Sequence, residues 1–484
     1  MNKSLLGLLI LSVSAGVSGC KDPGANAIPV SCQTAAEVAQ ILSNAGFTWN
    51  PQSDEALELT PDTLRVLLLN GNMTLLQGAN RVHQAKENLN LARANLLPSI
   101  NLGILLQSAA SPTFLVSSVE FALPFLLPAK WFDMLAKKNL TKAEEMSFLA
   151  LQLNQYSSLY ALYLAIQSDY VAREFLAQDI QDALAVERIV SHSYAIGQAT
   201  AADLDLARSS VLSAENRQLK LEELLTEEMA SLRYSMAICP EVPLTLMEHE
   251  IPPSPLETET AFRAAEQVLE KSPESQQLNY LIRAAELERW GKVFGFMGGA
   301  SVSGVAGSSG NALSNLDPKG SMSLGFGTII GVSITNRNIE ALQLGKRELG
   351  SETLKTLDSS LSRMGSIAAR IERSARAERL LENVFDSEMR RYSNGETTLL
   401  SLTDAQGKLR TLRLETIRGR FDQRLERLNL HRLSRDEDFA KIKGCAGSKK
   451  APEARVDGVD PCDSDFIKRK LGEKVEKQAA APAA

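Results

Sequence analysis

Ser193-Tyr-Ala-Ile-Gly-Gln-Ala-Thr-Ala-Ala-Asp203 and Arg391-Tyr-Ser-Asn-Gly-Glu-Thr-Thr-Leu-Leu-Ser401 decide the fold, because they are one motif written twice. Tyr194-Ala-Ile-Gly197 returns as Tyr392-Ser-Asn-Gly395 at an offset of 198 residues, and each copy opens a heptad-patterned helix. After the first turn Leu204, Ala207, Val211, Ala214, Gln218, Leu221, Leu225, Glu228 and Leu232 follow alternating steps of three and four. The small alanines in that seam permit close helix packing. Before each turn the helical pattern is very long. Residues 129–195 would span about 100 Å and residues 338–394 about 85 Å at 1.5 Å per residue, deeper than the core of any soluble domain of this size.

Further upstream in each copy the period changes from helical to two. Met322, Leu324, Phe326, Ile330, Val332 and Ile334 alternate with Ser323, Gly325, Gly327, Gly331 and Ser333, apolar on one face and small or polar on the other. The earlier counterpart sets Ile100, Leu102, Ile104 and Leu106 against Ser99, Asn101 and Gly103, and returns through Val119, Phe121, Leu123 and Phe125. Glu120 falls on the polar parity, away from lipid. Trp131 and Trp290 stand where strands join helices, as an interfacial aromatic belt would place them, and simple core packing fits either one alone nearly as well. Helical periodicity alone fits a soluble bundle equally well; lipid-facing strands between such helices do not.

The expected organisation follows. Residues 1–19 are a signal peptide and 20–59 a loosely structured lead-in. Residues 60–238 form a first repeat: a helix begun at Thr60-Pro61, a β-hairpin over 99–126, the long helix 129–195 and a helix over 199–238. A linker over 239–257 leads to a second repeat over 258–434, with a helix, a β-hairpin over 293–335, the long helix 338–394 and a helix over 397–434. Residues 435–484 have low-complexity composition and are expected to form a tail. The fold class is an α+β membrane protein of antiparallel coiled coils with two β-hairpins per protomer. Four strands cannot close a barrel, and an open edge in lipid leaves backbone groups unsatisfied, so the chain must associate. Three copies would supply a twelve-stranded barrel above a barrel of helices.

The N-terminus says where such an object would sit. Lys3, the apolar run Leu5 to Val13 and Val17-Ser18-Gly19-Cys20 read as a lipoprotein signal, with Cys20 as the acylated residue. Lys21 follows the cysteine where inner-membrane retention would favour Asp, so the anchor is expected to face the outer membrane of a Gram-negative envelope. The other cysteines, Cys32, Cys239, Cys445 and Cys462, form an even set in an oxidising compartment. The Cys445–Cys462 pair is expected from proximity, while Cys239 reads equally well as a free buried thiol.

Composition excludes other classes. A net charge of −6 gives no electrostatic case for nucleic acid. The four histidines, His83, His192, His249 and His431, have no metal-ligand spacing, and no nucleotide-binding or hydrolase motif occurs. No enzyme, cofactor or metal is expected.

Over residues 60–434 the sequence resembles the TolC-like outer-membrane efflux proteins. The carriers are Leu89-Asn-Leu-Ala-Arg-Ala-Asn-Leu-Leu-Pro-Ser99 before the first hairpin, Ser193 to Leu204 at one turn, and Arg391-Tyr-Ser-Asn-Gly-Glu-Thr-Thr-Leu-Leu-Ser-Leu-Thr-Asp-Ala-Gln406 at the other. The resemblance implies a homotrimeric duct through outer-membrane lipid and periplasm, engaged at its tip by a periplasmic adaptor (membrane-fusion) protein and an inner-membrane pump. It implies adaptor contact at Tyr194, Ile196, Gly197 and Gln198 and at Tyr392, Asn394, Gly395, Glu396 and Thr397. It also implies a periplasmic constriction at Asp404 and Ser401, with Asp203 at the acidic position of the first copy. Where the family keeps two gate aspartates, Ser401 replaces one. Leu123-Pro-Phe-Leu-Leu-Pro-Ala-Lys130 departs from the family's usual segment after the first hairpin. The alternative reading is a structural envelope lipoprotein that keeps the helical scaffold and conducts nothing.

Overall fold

A computed structural model describes residues 32–52, 55–96, 128–295 and 326–445. In chain order these form α1 (Ala35–Asn44), β1 (Leu57–Leu59), α2 (Pro61–Gly71), α3 (Met73–Ala94), α4 (Pro128–Ala195), α5 (Ala201–Ser235) and β2 (Leu244–Leu246). After a 3-10 turn at Pro255–Thr258 come α6 (Ala261–Lys271), α7 (Pro273–Gly295), α8 (Phe326–Ser393), α9 (Leu399–Ser434) and α10 (Glu437–Ala440).

The repeat is visible in the element bounds. Helices α4 and α8 are each 68 residues, about 100 Å, and both their ends differ by the offset seen in the turns. Helices α2 and α6 are each 11 residues and begin after a threonine, Thr60 or Thr260. Each short helix breaks at a polar N-cap for the next: the Asn72 side chain accepts from the Leu75 amide at 3.0 Å, and the Ser272 hydroxyl from the Ser275 amide at 3.1 Å. Even the strained exits match, since Ala237 and Arg435, past the ends of α5 and α9, have φ of 53° and 54°.

The main core lies at mid-height. The central turns of α4 bury Phe148, Leu153, Tyr156, Tyr163 and Leu164 against α1, α2 and the β1–β2 ribbon. The ribbon is parallel, with Leu57 opposite Leu244 and Leu59 opposite Leu246. Tyr156 donates to the Pro61 carbonyl and Tyr163 to the Leu59 carbonyl, both at 3.1 Å, so neither buried hydroxyl is orphaned. A Cys32–Cys239 disulfide ties the chain before α1 to the end of α5. Cys239 is therefore paired, not free. Cys445 is also disulfide-bonded, and Cys462 of the expected pair lies outside the described residues.

Several expectations need correction. The second hairpin does not extend over 293–335: Val293 to Gly295 end α7, and Phe326 to Thr335 are the first turns of α8. An even spacing of four serves a helix as well as a strand, so Ile330 and Ile334 fall on one helical face. The Thr335 hydroxyl bonds the Gly331 carbonyl one turn back at 2.9 Å and receives Lys292 of α7 at 2.8 Å, a contact that needs the helix. Residues 97–127, with the whole first hairpin, and 296–325 lie outside the described residues, as does Cys20. The lead-in is not loose after Cys32, because Val38 and Leu42 of α1 enter the core. Nor does the chain end as a tail at Arg435: α10 buries Phe439 beside Tyr156, with ring centroids 5.2 Å apart.

Candidate functional site

At the far end of the long helices the two helical hairpins reach their turns, and the turns share one backbone design. In the first, the Gly197 amide bonds the Tyr194 carbonyl at 3.0 Å and the Gln198 amide the Ser193 carbonyl at 2.8 Å. In the second, Gly395 bonds Tyr392 at 3.0 Å and Glu396 bonds Arg391 at 2.8 Å. This Schellman pattern satisfies the last carbonyls of α4 and α8 and requires a left-handed residue, met by φ of +75° at Gly197 and +74° at Gly395. Tyr194 and Ile196 are 45% and 56% exposed, and Gln198, Asn394 and Glu396 are exposed with them. Tyr392 instead leans into a core formed by Val186, Val190, Leu204, Phe385, Leu399 and Leu402, which joins the two hairpins. Burial and the neighbouring Asp203 carboxylate raise its pKa.

The side chains that start the return helices differ. Thr200 and Asp203 form a capping box at α5: the Thr200 amide and hydroxyl both donate to Asp203, at 2.9 and 2.7 Å, while the Asp203 amide donates to the Thr200 hydroxyl at 3.2 Å. Those bonds hold the Asp203 carboxyl below the usual carboxylate range. At α9 the corresponding pair is Thr398 and Ser401, where only the Thr398 side chain takes part, accepting from the Ser401 amide at 3.3 Å. The carboxylate comes from across the turn. Glu388 of α8 accepts from the hydroxyls of Thr397 at 2.8 Å and Ser401 at 3.1 Å, and pairs with Arg391 at 2.7 Å. The Thr397 bond, followed by those from Ser401 and Arg391, lowers its pKa. The offset places Val190, fully buried, where the second copy has Glu388.

The three residues expected at a constriction thus divide. Asp203 and Ser401 are equivalent capping positions. Asp404 lies nearly one turn further along α9, 59% exposed by side chain, and pairs with Lys408 at 2.6 Å.

Roughly 24 Å above the turns, sixteen residues back along α4, a layer of charge links the hairpins that the sequence pattern did not announce. Asp179 of α4, its side chain 4% exposed, meets Arg217 of α5 at 2.9 Å and Arg410 of α9 at 3.8 Å. Arg413 of α9 bonds Glu378 at 3.3 Å and Glu382, and lies 5.5 Å over the Phe175 ring. Burial raises the pKa of Asp182 beside this layer. A carboxylate in the apolar seam of α4 was the available signal for Asp179; for Glu388 it was the departure from Val190.

Among the described residues no group of His, Cys, Asp and Glu could hold a metal ion, and no helix is long and apolar enough to cross a membrane.

No family model matches the sequence, and no curated protein matches it. Solved structures do. The outer-membrane channel OprN aligns with a TM-score of 0.61 at 11% identity, over 78% of this chain and 90% of its own. The CmeC outer membrane channel of Campylobacter jejuni aligns with a TM-score of 0.61 at 12% identity, over 88% of this chain and 96% of its own. The outer membrane protein VceC of Vibrio cholerae gives 0.55 at 14%, over 77% and 96%. The chain has the fold of the TolC-like outer-membrane channels. At these identities the likeness is one of fold, and it bears out the resemblance read from the two turns at that level.

Proposed function

We propose that this protein is the outer-membrane channel of a tripartite efflux or type I secretion system. The observation that carries this is the pair of equal helices, about 100 Å long, ending together in two matched and exposed turns. A rod of that length crosses a wide aqueous space, and turns of one backbone design present a repeated surface to a partner. Three chains would form the duct, each contributing strands to a shared barrel. Cys20 would carry the acyl anchor in the outer membrane. The exposed turns would meet the adaptor protein, and through it the inner-membrane pump. The fold shared with OprN, CmeC and VceC supports this assignment.

The test is reconstitution of the purified full-length protein in planar bilayers, with chemical crosslinking to count chains. Discrete conductance from a crosslinked trimer is expected. Trimers that insert and pass no current would favour the structural envelope lipoprotein instead.

A further inference from the structure

Opposite the turns lie the end of α3, the start of α4, the end of α7 and the start of α8. Aromatic and cationic side chains converge there. Phe132 of α4 stacks on Phe294 of α7 with centroids 5.6 Å apart, and Phe294 stacks on Trp290 at 6.2 Å. Trp131 and Trp290 are nevertheless 38% and 45% exposed. The Arg289 guanidinium lies 5.6 Å over the Trp290 ring. Lys130 donates to the Asn95 carbonyl at 3.4 Å, Arg289 to the Asn336 side-chain oxygen at 3.4 Å and Lys292 to the Thr335 hydroxyl at 2.8 Å. All three acceptors are neutral, so these bonds orient the cations without cancelling their charge.

Charge also separates along the long axis. Over residues 89–96, 128–138, 283–295 and 330–340, Lys and Arg outnumber Asp and Glu eight to four, in a chain whose net charge is −6. Around the turns, over 190–205 and 388–404, the balance reverses to two against five. A helical surface with no ligand to meet at this end has no reason to collect exposed indole rings and cations on the same two turns.

We propose that this collar binds anionic phospholipid headgroups at the periplasmic face of the outer membrane. Trp131 and Trp290 enter the headgroup layer, and Lys130, Arg289 and Lys292 meet the phosphates. Indole rings favour that layer, lysine and arginine stems lie along apolar surface while their heads reach phosphate, and a cluster of cations selects lipids of net negative charge. A zwitterionic lipid offers the same phosphate with its charge already balanced. The inference rests on the reading that this end enters the membrane.

The experiment adds phosphatidylglycerol or phosphatidylcholine to the detergent-solubilised full-length protein and measures the lipid phosphorus retained after gel filtration. Several-fold more phosphatidylglycerol is expected at low salt, with the preference shrinking at roughly 0.5 M salt, where the screening length falls below about 5 Å. A Lys130→Gln, Arg289→Gln, Lys292→Gln variant should retain the two lipids nearly equally and still insert into phosphatidylcholine liposomes like the parent. Equal retention of both lipids by the unaltered protein, or an unchanged preference in the variant, would overturn the collar alone. Failure of the unaltered protein to insert into liposomes of either lipid would overturn the membrane-end assignment, and the collar with it.

Discussion

The two helical hairpins share a backbone and differ in how it is fastened. Both turns are Schellman motifs closed by glycine, and both return helices end in a left-handed residue, Ala237 or Arg435. In the first hairpin the helix start is closed by its own Asp203, and the helix end runs into a disulfide at Cys239. In the second, the start is tied across the turn by Glu388, and the end is held by His431, whose ring nitrogens lie 2.6 Å from Asp436 and 2.8 Å from the Pro252 carbonyl. The first hairpin is therefore fastened by a local capping box and a covalent cross-link, while the second depends on Glu388 across its turn and on the His431 hydrogen bonds at its end. Under the proposed function, a duct that opens would have its compliance in the second copy.

The largest expected difference concerns the two helix ends. Replacing Cys32 and Cys239 with Ser removes a cross-link between residues 207 apart, which the chain-entropy relation values at about 5 kcal/mol. Guanidinium unfolding of the solubilised protein should register most of that loss. The second closure should respond to pH instead. Burial alone would lower the His431 pKa, but hydrogen bonds to Asp436 and the Pro252 carbonyl outweigh it and raise the value. Only the imidazolium donates at both nitrogens. Its stabilisation is therefore complete below the unfolded value near 6.5 and is lost as pH rises through the higher folded value. Protease nicking near Asp436 that grows as pH rises above about 6.5 in the parent, and is already high at pH 6 in His431→Gln, is the expected pattern. Nicking that is flat with pH would show that His431 does not hold this closure.

At the turns themselves the comparison predicts equality. A side chain added at Gly197 or Gly395 would meet nothing within 4 Å, so only the left-handed backbone opposes it. Gly197→Val and Gly395→Val should each cost about 1–2 kcal/mol, and by similar amounts. Under the proposed function both should reduce export while trimers still assemble. Substantially unequal losses in unfolding experiments would mean that one turn is supported by contacts beyond its backbone.

How much of this was legible beforehand depends on the range of the interaction. The turn glycines and Thr60 are local signals, and each appears in the structure with the expected backbone. The long helices were legible because their period persists over many turns. Phe326 to Thr335 misled because Phe326, Ile330 and Ile334 stand four apart, a spacing that suits either period, and only the continuing helix and Lys292 decide between them. The Cys32–Cys239 pair, Asp179 with its two arginines and the Phe439 anchor all join residues far apart in sequence. Glu388 was not read from the sequence, since its role depends on Ser401 standing where the first copy has Asp203.

The capping carboxylates give a smaller and more selective effect. Asp203→Asn should loosen only the start of α5, and Glu388→Gln only the start of α9, read as faster amide exchange over 200–204 or 397–402. Both carboxyls are held below their ordinary range, so their stabilisation is present above the unfolded pKa near 4 and fades as pH falls through the folded values. Acid should therefore loosen both turns in the parent, and each variant should lose that response at its own turn alone. Loosening of both turns by either substitution would show that the two are mechanically one unit.

The smallest effect is expected at Asp404, and it too separates the copies. The offset puts Leu206 and Ser210 where the second copy has Asp404 and Lys408, so the first copy has no counterpart of this pair. If Asp404 lines the narrow end of the duct, three of them gather on the axis, yet each has Lys408 at 2.6 Å. Opposite charges that close on an exposed surface largely cancel at the distance of a passing ion, and salt screens the remainder. Asp404→Asn should then lower cation selectivity, and Lys408→Gln should raise it, each by less than about twofold at 0.15 M salt, with larger shifts at lower salt. Because the two substitutions disturb the same pair, a shared direction would point to altered packing, whereas opposite directions are the signature of charge at the mouth. Reversal potentials of the reconstituted channel supply the measurement. If neither substitution moves them, Asp404 is an ordinary surface carboxylate, and the narrowest part of the duct belongs to another layer, of which the buried Asp179 with Arg217 and Arg410 is the first to examine.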